Sequence, residues 1–193
     1  MIGTIVAVVL LVIIVLYVII TYNSLISSKN VVKEAFSTMD VYLKKRWDLI
    51  PNLVETVKGY AKHESQTLEN VISLRNNYDS MTPEEKISSD TKVKGDILKI
   101  MALAESYPDL KANKNFQDLS NQLVKIEDDI ENSRKYYNGT VKNYNIKVLT
   151  IPSNIVASIF GFKEEKMFEA TETERENVKV NFTNTDEKKN NTN

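Results

Sequence analysis

Apolar positions fall along this chain in three rhythms. Residues 2–20 read IGTIVAVVLLVIIVLYVII, a run without charge whose only polar side chains are Thr4 and the hydroxyl of Tyr17. A run apolar on every face suits lipid better than a core helix, which keeps a polar side. About nineteen helical residues rise about 28 Å, close to the hydrocarbon thickness of a bilayer. Beyond the run, apolar residues recur every three or four positions, the rhythm of helices with one buried face. From Lys163 onward the chain turns polar and charged. Such a stretch buries too little to order itself, and disorder is expected. The chain thus divides into an anchor over residues 1–21, a helical domain over 22–162 and a polar tail over 163–193.

Within the domain the spacing predicts four helices. The first, over residues 22–47, carries Leu25, Val32, Phe36, Met39, Leu43 and Trp47 on one face, and no glycine or proline separates it from the anchor. Pro51 predicts a break, with Asp48-Leu49-Ile50 as a turn; one long kinked helix is the alternative. The second helix, over 51–78, has Leu53, Val54, Val57, Ala61, Leu68, Val71 and Ile72 as its stripe. Thr82 as cap, Pro83 in the first position and Glu84-Glu85 at the positive end of the dipole start the third, which reaches Tyr107. It carries Val93, Ile97, Ile100, Met101 and Ala104. After a turn at Pro108-Asp109, the fourth repeats Phe116, Leu119, Leu123, Ile126 and Ile130 at alternating steps of three and four. Tyr137, Tyr144 and Ile151 continue the seven-residue beat. That is a seam for packing against other helices. The fold class is therefore all-α: an N-terminal transmembrane helix followed by an antiparallel up-and-down four-helix bundle with a long C-terminal helix.

This topology has a consequence. With helices one and three leaving the membrane and two and four returning, the apolar patch Ile155, Val156, Ile159, Phe160 and Phe162 arrives near the bilayer. It either packs on the membrane-proximal end of the bundle, the favoured reading, or dips into the interface.

Composition narrows the function. A net charge of −1 gives no electrostatic case for nucleic acid. With no cysteine, disulfides, thiolate metal sites and a cysteine nucleophile are excluded. A cleaved signal peptide would bring a basic n-region, a shorter core and a small-residue cleavage site. Met1 alone precedes this core and Tyr22-Asn23-Ser24-Leu25 cleaves poorly, so an uncleaved anchor is expected. Lys29, Lys33, Lys44, Lys45 and Arg46 follow the run and no basic residue precedes it. The positive-inside rule then puts the amino terminus outside and the domain in the cytoplasm of a cell-membrane protein. On that side the glycosylation pattern at Asn138-Gly139-Thr140 is a chance match.

The stretch DVYLKKRWDLIPNLVETVKGYAKHE over residues 40–64 resembles the signature of the LemA family. So do YPDLKANKNF over 107–116, the pair Tyr137-Asn138 and Pro152-Ser153. The resemblance covers about residues 22–168, with Phe36 where the family pattern expects tryptophan. It implies a bacterial, membrane-located antiparallel helical bundle. It implies no settled molecular activity and no enzyme.

Candidate chemistry is sparse. His63-Glu64 would need a second histidine at position 67 to form a zinc-protease helix, and Thr67 stands there. Asp48, Asn52 and Lys58 suit capping and hydrogen bonding near the first turn. Glu131 sits at pairing distance in sequence from Arg134 and Lys135, and Glu127 with Arg134 shares a face beside the seam, facing helices one or two. Two carboxylates four apart could do acid–base work, but register-setting contacts are the expectation. Tyr137-Asn138 and Tyr144-Asn145 repeat a pair at one heptad, as suits a protein-binding surface or a tapering bundle end. No catalytic, cofactor-binding or metal-ligating residue is assigned, and no cofactor is expected. The leading expectation is a non-enzymatic, membrane-anchored interaction or scaffold protein of the bacterial cell envelope. Its partners are the lipid bilayer and other envelope proteins, or copies of itself, and not nucleic acid. A membrane-organising protein with a second lipid contact over 155–162 is the alternative, and an uncharacterised enzyme the remaining one.

Overall fold

The structure is a computed structural model that describes residues 1–61 and 78–168. Every regular element among them is helical. Helix α1 (Ile2–Lys58) holds the apolar run and most of the first two predicted stripes. After a 3-10 turn (Tyr78–Ser80) come α2 (Pro83–Ser106), the short α3 (Pro108–Ala112), the long α4 (Lys114–Leu149) and the short α5 (Ser153–Ile159).

The predicted break at Pro51 is absent: α1 runs through it to Lys58. Proline removes one hydrogen bond, at a cost of about 3 kcal/mol in a helix interior. Packing opposes that cost, because the buried stripe stays in phase across the proline. Met39, Leu43 and Ile50 before it and Leu53, Val54 and Val57 after it are almost fully buried. The chain leaves the helix only at Gly59. Of the second predicted helix, residues 51–58 belong to α1 and residues 62–77, with Leu68, Val71 and Ile72, lie outside the described residues. The four-helix count is therefore not a property of the described chain.

Other boundaries follow the local chemistry. The Thr82 hydroxyl accepts from the Glu85 amide at 3.3 Å and the Glu85 carboxylate accepts from the Thr82 amide at 2.7 Å. With Pro83 in the first turn, this is a reciprocal cap for α2. Pro108 starts a short helix where a simple turn was expected, and the Asn113 side chain then caps α4 by accepting from the Phe116 amide at 3.1 Å.

Cross-helix pairs fix the directions. Along α4, Asn113 meets Tyr60, Glu127 meets Arg46, Tyr137 meets Phe36 and Lys147 meets Ser24 and Ser28. Numbers rise on α4 as they fall on α1, so the two are antiparallel. Lys86 reaches Asp40 and Asp90 reaches Arg46, so α2 runs parallel to α1. The core lies between these three helices, with Ile100 of α2, Leu110 of α3 and Ile130 and Tyr144 of α4 at most 1% exposed. Ile151, placed on the seam by its spacing, falls past the end of α4 and is 77% exposed. Along residues 2–20 every side chain is exposed except half-buried Val18. This is the one helix among the described residues long and apolar enough to cross a membrane.

Candidate functional site

Three features stand out above the ordinary core. The first is a charged centre. Arg46 lies on the apolar stripe of α1, between Leu43 and Ile50, and is 1% exposed. Its Nη2 meets Asp90 of α2, whose other oxygen meets the Arg134 guanidinium of α4. Its Nη1 donates to Glu127 Oε2 at 3.1 Å, and Lys94 pairs with Glu127 Oε1 at 3.0 Å. Burial pushes the Arg46 guanidinium below its usual range, and Glu127 pulls it partly back. Arginine holds its charge through such a shift. Three cations thus surround two carboxylates where α1, α2 and α4 meet. Beside them a cleft of about 150 Å³ is lined mostly by Ile97, Leu98, Met101, Leu123 and Val124. Both Glu127 oxygens are taken by cations, so the carboxylate is an acceptor in an ion-pair network rather than a free base.

A smaller polar group lies nearer the apolar run of α1. The Tyr78 hydroxyl donates to Asp40 Oδ1 at 2.6 Å, and Lys86 binds both Asp40 oxygens at 2.9 Å. Burial first, then the Asp40 carboxylate, pushes the Tyr78 phenol well above its usual range.

The second feature is a ladder on α4. Residues 163–168, which composition assigns to the tail, lie along this helix. The Tyr144 hydroxyl donates to the Lys163 carbonyl at 2.9 Å. The Asn145 amide donates to the Glu165 carbonyl and accepts from the Glu165 N–H, both at 2.9 Å. One heptad earlier the unit repeats: Tyr137 donates to the Lys166 carbonyl at 2.9 Å, while Asn138 takes both main-chain groups of Phe168 at 2.8 Å. Seven helical residues rise about 10.5 Å. Three residues of the segment cover the same distance, which requires nearly full extension. The heptad of the helix thus matches a three-residue step of an extended chain. Burial first, then Glu165, raises the Tyr137 phenol to about 12 and the Tyr144 phenol in the same direction, so both keep their donor proton at neutral pH. Asn138 is spent on the Phe168 main chain, which leaves its amide no room for a glycan.

The third feature is the end of the bundle beside the apolar run of α1. On α5, Val156 and Ala157 are buried, whereas Ile155, Ile159 and Phe160 are exposed, as is Ile151 just before it. The Phe160 and Phe162 rings lie 4.8 and 5.7 Å from the Tyr22 ring, just past the apolar run of α1. Gly161, with φ 71°, closes α5: the Phe162 N–H reaches the Ala157 carbonyl at 2.9 Å and the chain turns back up α4. The expectation that the patch packs on this end of the bundle is met on one face, by Val156 and Ala157, while the other face is open.

The remaining candidates scatter. His63 and Glu64 lie outside the described residues. Asp48 and Asn52 sit exposed on an unbroken helix, where Asp48 lies 3.9 Å from Lys44 and caps nothing. Lys58 occupies the last turn of α1. Glu131 and Lys135 form an exposed pair at 2.7 Å. Among the described residues no group of three or more His, Asp or Glu could hold a metal. Spacing alone missed Arg46 and Asp90, although a signal existed: each is a charge on an apolar beat, Arg46 among 43, 50 and 53, Asp90 before 93, 97, 100 and 104.

The fold and these features define an all-helical protein in which one long apolar helix continues into a packed bundle. A model of the LemA family matches residues 35–182, and the chain belongs to that family. It is similar to Protein LemA of Metamycoplasma hominis, 27% identical over 81% of this chain and 72% of that protein. It also resembles Magnetosome protein MamQ 2 of Paramagnetospirillum magneticum, 34% identical over 37% of this chain. Magnetosome protein MamQ of Magnetospirillum gryphiswaldense is 30% identical over 36% of it. Each MamQ match spans 26% of the relative's length.

Proposed function

We propose that this chain is a non-enzymatic, membrane-anchored scaffold of the bacterial cell envelope, seated on the bilayer at two points, with its domain on the cytoplasmic side. The anchor is the apolar run of α1. The second seat is the outer face of α5, and the observation that carries the reading is the placement of that face. Ile151, Ile155, Ile159 and Phe160 are exposed together beside Tyr22, at the level where the apolar run ends. Exposed singly, such residues are unremarkable; gathered beside a spanning helix they suit the headgroup–acyl boundary. The domain above presents helical faces to other envelope proteins, with the polar centre holding its register.

The chain has no cysteine, so a single Ile155→Cys can carry an environment-sensitive dye. In proteoliposomes, lipids with quenchers near the headgroup should dim that dye far more than one at Ser88→Cys, an exposed position of α2. Equal quenching at the two sites would remove the second seat.

A further inference from the structure

We propose that the hollow between α1 and α4 beside Lys147 holds the phosphate of an anionic phospholipid, one whose headgroup carries no cation of its own. The proposal rests on the membrane anchoring above and gives the scaffold a preferred lipid.

Lys147 is the odd cation of the bundle. Among the described residues, every other lysine or arginine that is not exposed pairs with a carboxylate. Lys29 meets Glu165, Arg46 and Arg134 meet Asp90, Lys86 meets Asp40 and Lys94 meets Glu127. Lys147 is half-buried, and its ammonium donates instead to two neutral hydroxyls, Ser24 Oγ at 2.9 Å and Ser28 Oγ at 2.6 Å. These bonds fix its place and leave its charge uncompensated among the described residues. Hydrogen bonds from a cation to an anion are about twice as strong as neutral ones, so an anion beside it gains more than the serines supply.

Beside the ammonium lies an open hollow of about 460 Å³, in which Ser27, Ser28, Thr140 and Asn143 supply polar groups. No acidic side chain lines it, and none of residues 163–168 does. Farther along α1, Ser37 and Thr38 donate to carbonyl oxygens four residues back. Ser27 and Ser28 make no such bond to the described residues, so their protons can serve an acceptor in the hollow. Thr140 donates to the Tyr137 carbonyl at 2.7 Å and keeps its lone pairs for a donor.

Height points to a lipid. Ser24 and Ser28 stand about 6 and 12 Å past Ile20 along α1. The headgroup layer on each face of a bilayer is about 5–8 Å deep. The ammonium held between the two serines is thus at the upper edge of that layer, in contact range of its phosphates. Thr140 lies two turns before Lys147 on α4, farther from the apolar run. The hollow therefore opens above the ammonium, where the rest of a headgroup projects. A choline or ethanolamine there would set a second cation beside Lys147 with no acid to meet it. A glycerol headgroup would meet the Asn143 amide and the Thr140 oxygen.

The test uses the full-length chain in phosphatidylcholine vesicles with a trace of phosphatidylglycerol bearing a photoreactive diazirine on its headgroup. Illumination is expected to mark peptides from residues 24–31 and 140–147. Unlabelled phosphatidylglycerol should suppress the mark, and the same amount of added phosphatidylcholine should not. Lys147→Gln should cut it about tenfold, the worth of one charged hydrogen bond, and Lys147→Arg should retain it. Lys125→Gln removes the same charge from an exposed position of α4 far from the apolar run and should leave it unchanged. Equal losses at the two positions would make the attraction a diffuse charge effect, and no loss at Lys147 would remove the site; either overturns the proposal. Millimolar inorganic phosphate separates the sources of the anion. It should leave the mark intact, and suppression would assign the hollow to free phosphate instead of lipid. Flotation with the vesicles reads the anchor and dye quenching at Ile155→Cys reads the α5 seat. A chain that floats and is quenched yet stays unmarked loses the lipid site alone.

Discussion

Around Arg46 the helices are joined side chain to side chain, by paired charges at a largely buried centre. Roughly 20 Å further along α4, around Tyr144, the joint is side chain to main chain, made by neutral amides and phenols on a half-open surface. The first joint is specific about every partner. Arg46, Asp90, Glu127 and Arg134 are each paired to a named charge on another helix, and together they tie α1, α2 and α4 at one level. The second is specific about one side only. It needs its two tyrosines and two asparagines, and its ladder bonds all go to main-chain atoms of residues 163–168. The bundle thus has a centre that fixes register and an end that accepts a strand.

Mutation should separate the two. Asp90→Ala is expected to have the largest effect. It leaves the guanidiniums of Arg46 and Arg134 facing each other in the core, and breaking a buried pair costs roughly 3–5 kcal/mol. Chemical denaturation followed by helicity would read this directly; a loss within experimental scatter would mean the centre is wetter than its burial indicates. Arg46→Met sharpens the point, because Asp90 keeps Arg134 and Glu127 keeps Lys94, so a smaller loss is expected. Asn138→Ala removes two bonds at the other joint, about 1–3 kcal/mol at roughly 0.5–1.5 each. Its effect should be local: hydrogen exchange at the Phe168 amide accelerates while amides around Arg46 keep their protection. Thr82→Ala touches neither joint and should cost about 1 kcal/mol of α2 stability through the lost cap. A further difference appears only in alkali. Tyr137 titrates at about 12 in the folded chain against a model-compound value of 10.0, so the folded state binds its proton more tightly. Stability from this group is intact below pH 10 and falls as pH rises from 10 to 12. Denaturation series at pH 9 and 11.5 should show Tyr137→Phe losing less between them than the parent chain.

The same contrast explains what the sequence disclosed. Among the described residues the Thr82 cap, the apolar run and the stripes up to Tyr144 obey periodicity and local chemistry and appear where spacing puts them, whereas Ile151 falls off the seam. The continuation through Pro51 did not, because a local penalty was outweighed by packing on both sides of it. The charged centre was half legible: Glu127 and Arg134 stood beside the seam, but their partners Arg46 and Asp90 come from helices whose alignment only the fold supplies. The ladder was the least legible. The repeated Tyr-Asn pair was visible, yet its ligand is main chain, which every residue carries and no composition marks.

Because α1 passes from the apolar run into the bundle without a break, its 57 residues make one rod about 85 Å long. Seated as proposed, the rod is a lever. About 57 Å of it stands clear of the membrane, so a tilt of 20° in the buried part swings the distal end sideways by about 20 Å. The apolar face of α5 then acts as an outrigger on one side, resisting a lean towards it and being pulled from the bilayer by a lean away. Bilayer thickness, through the tilt it imposes, would set how far from its foot the molecule reaches.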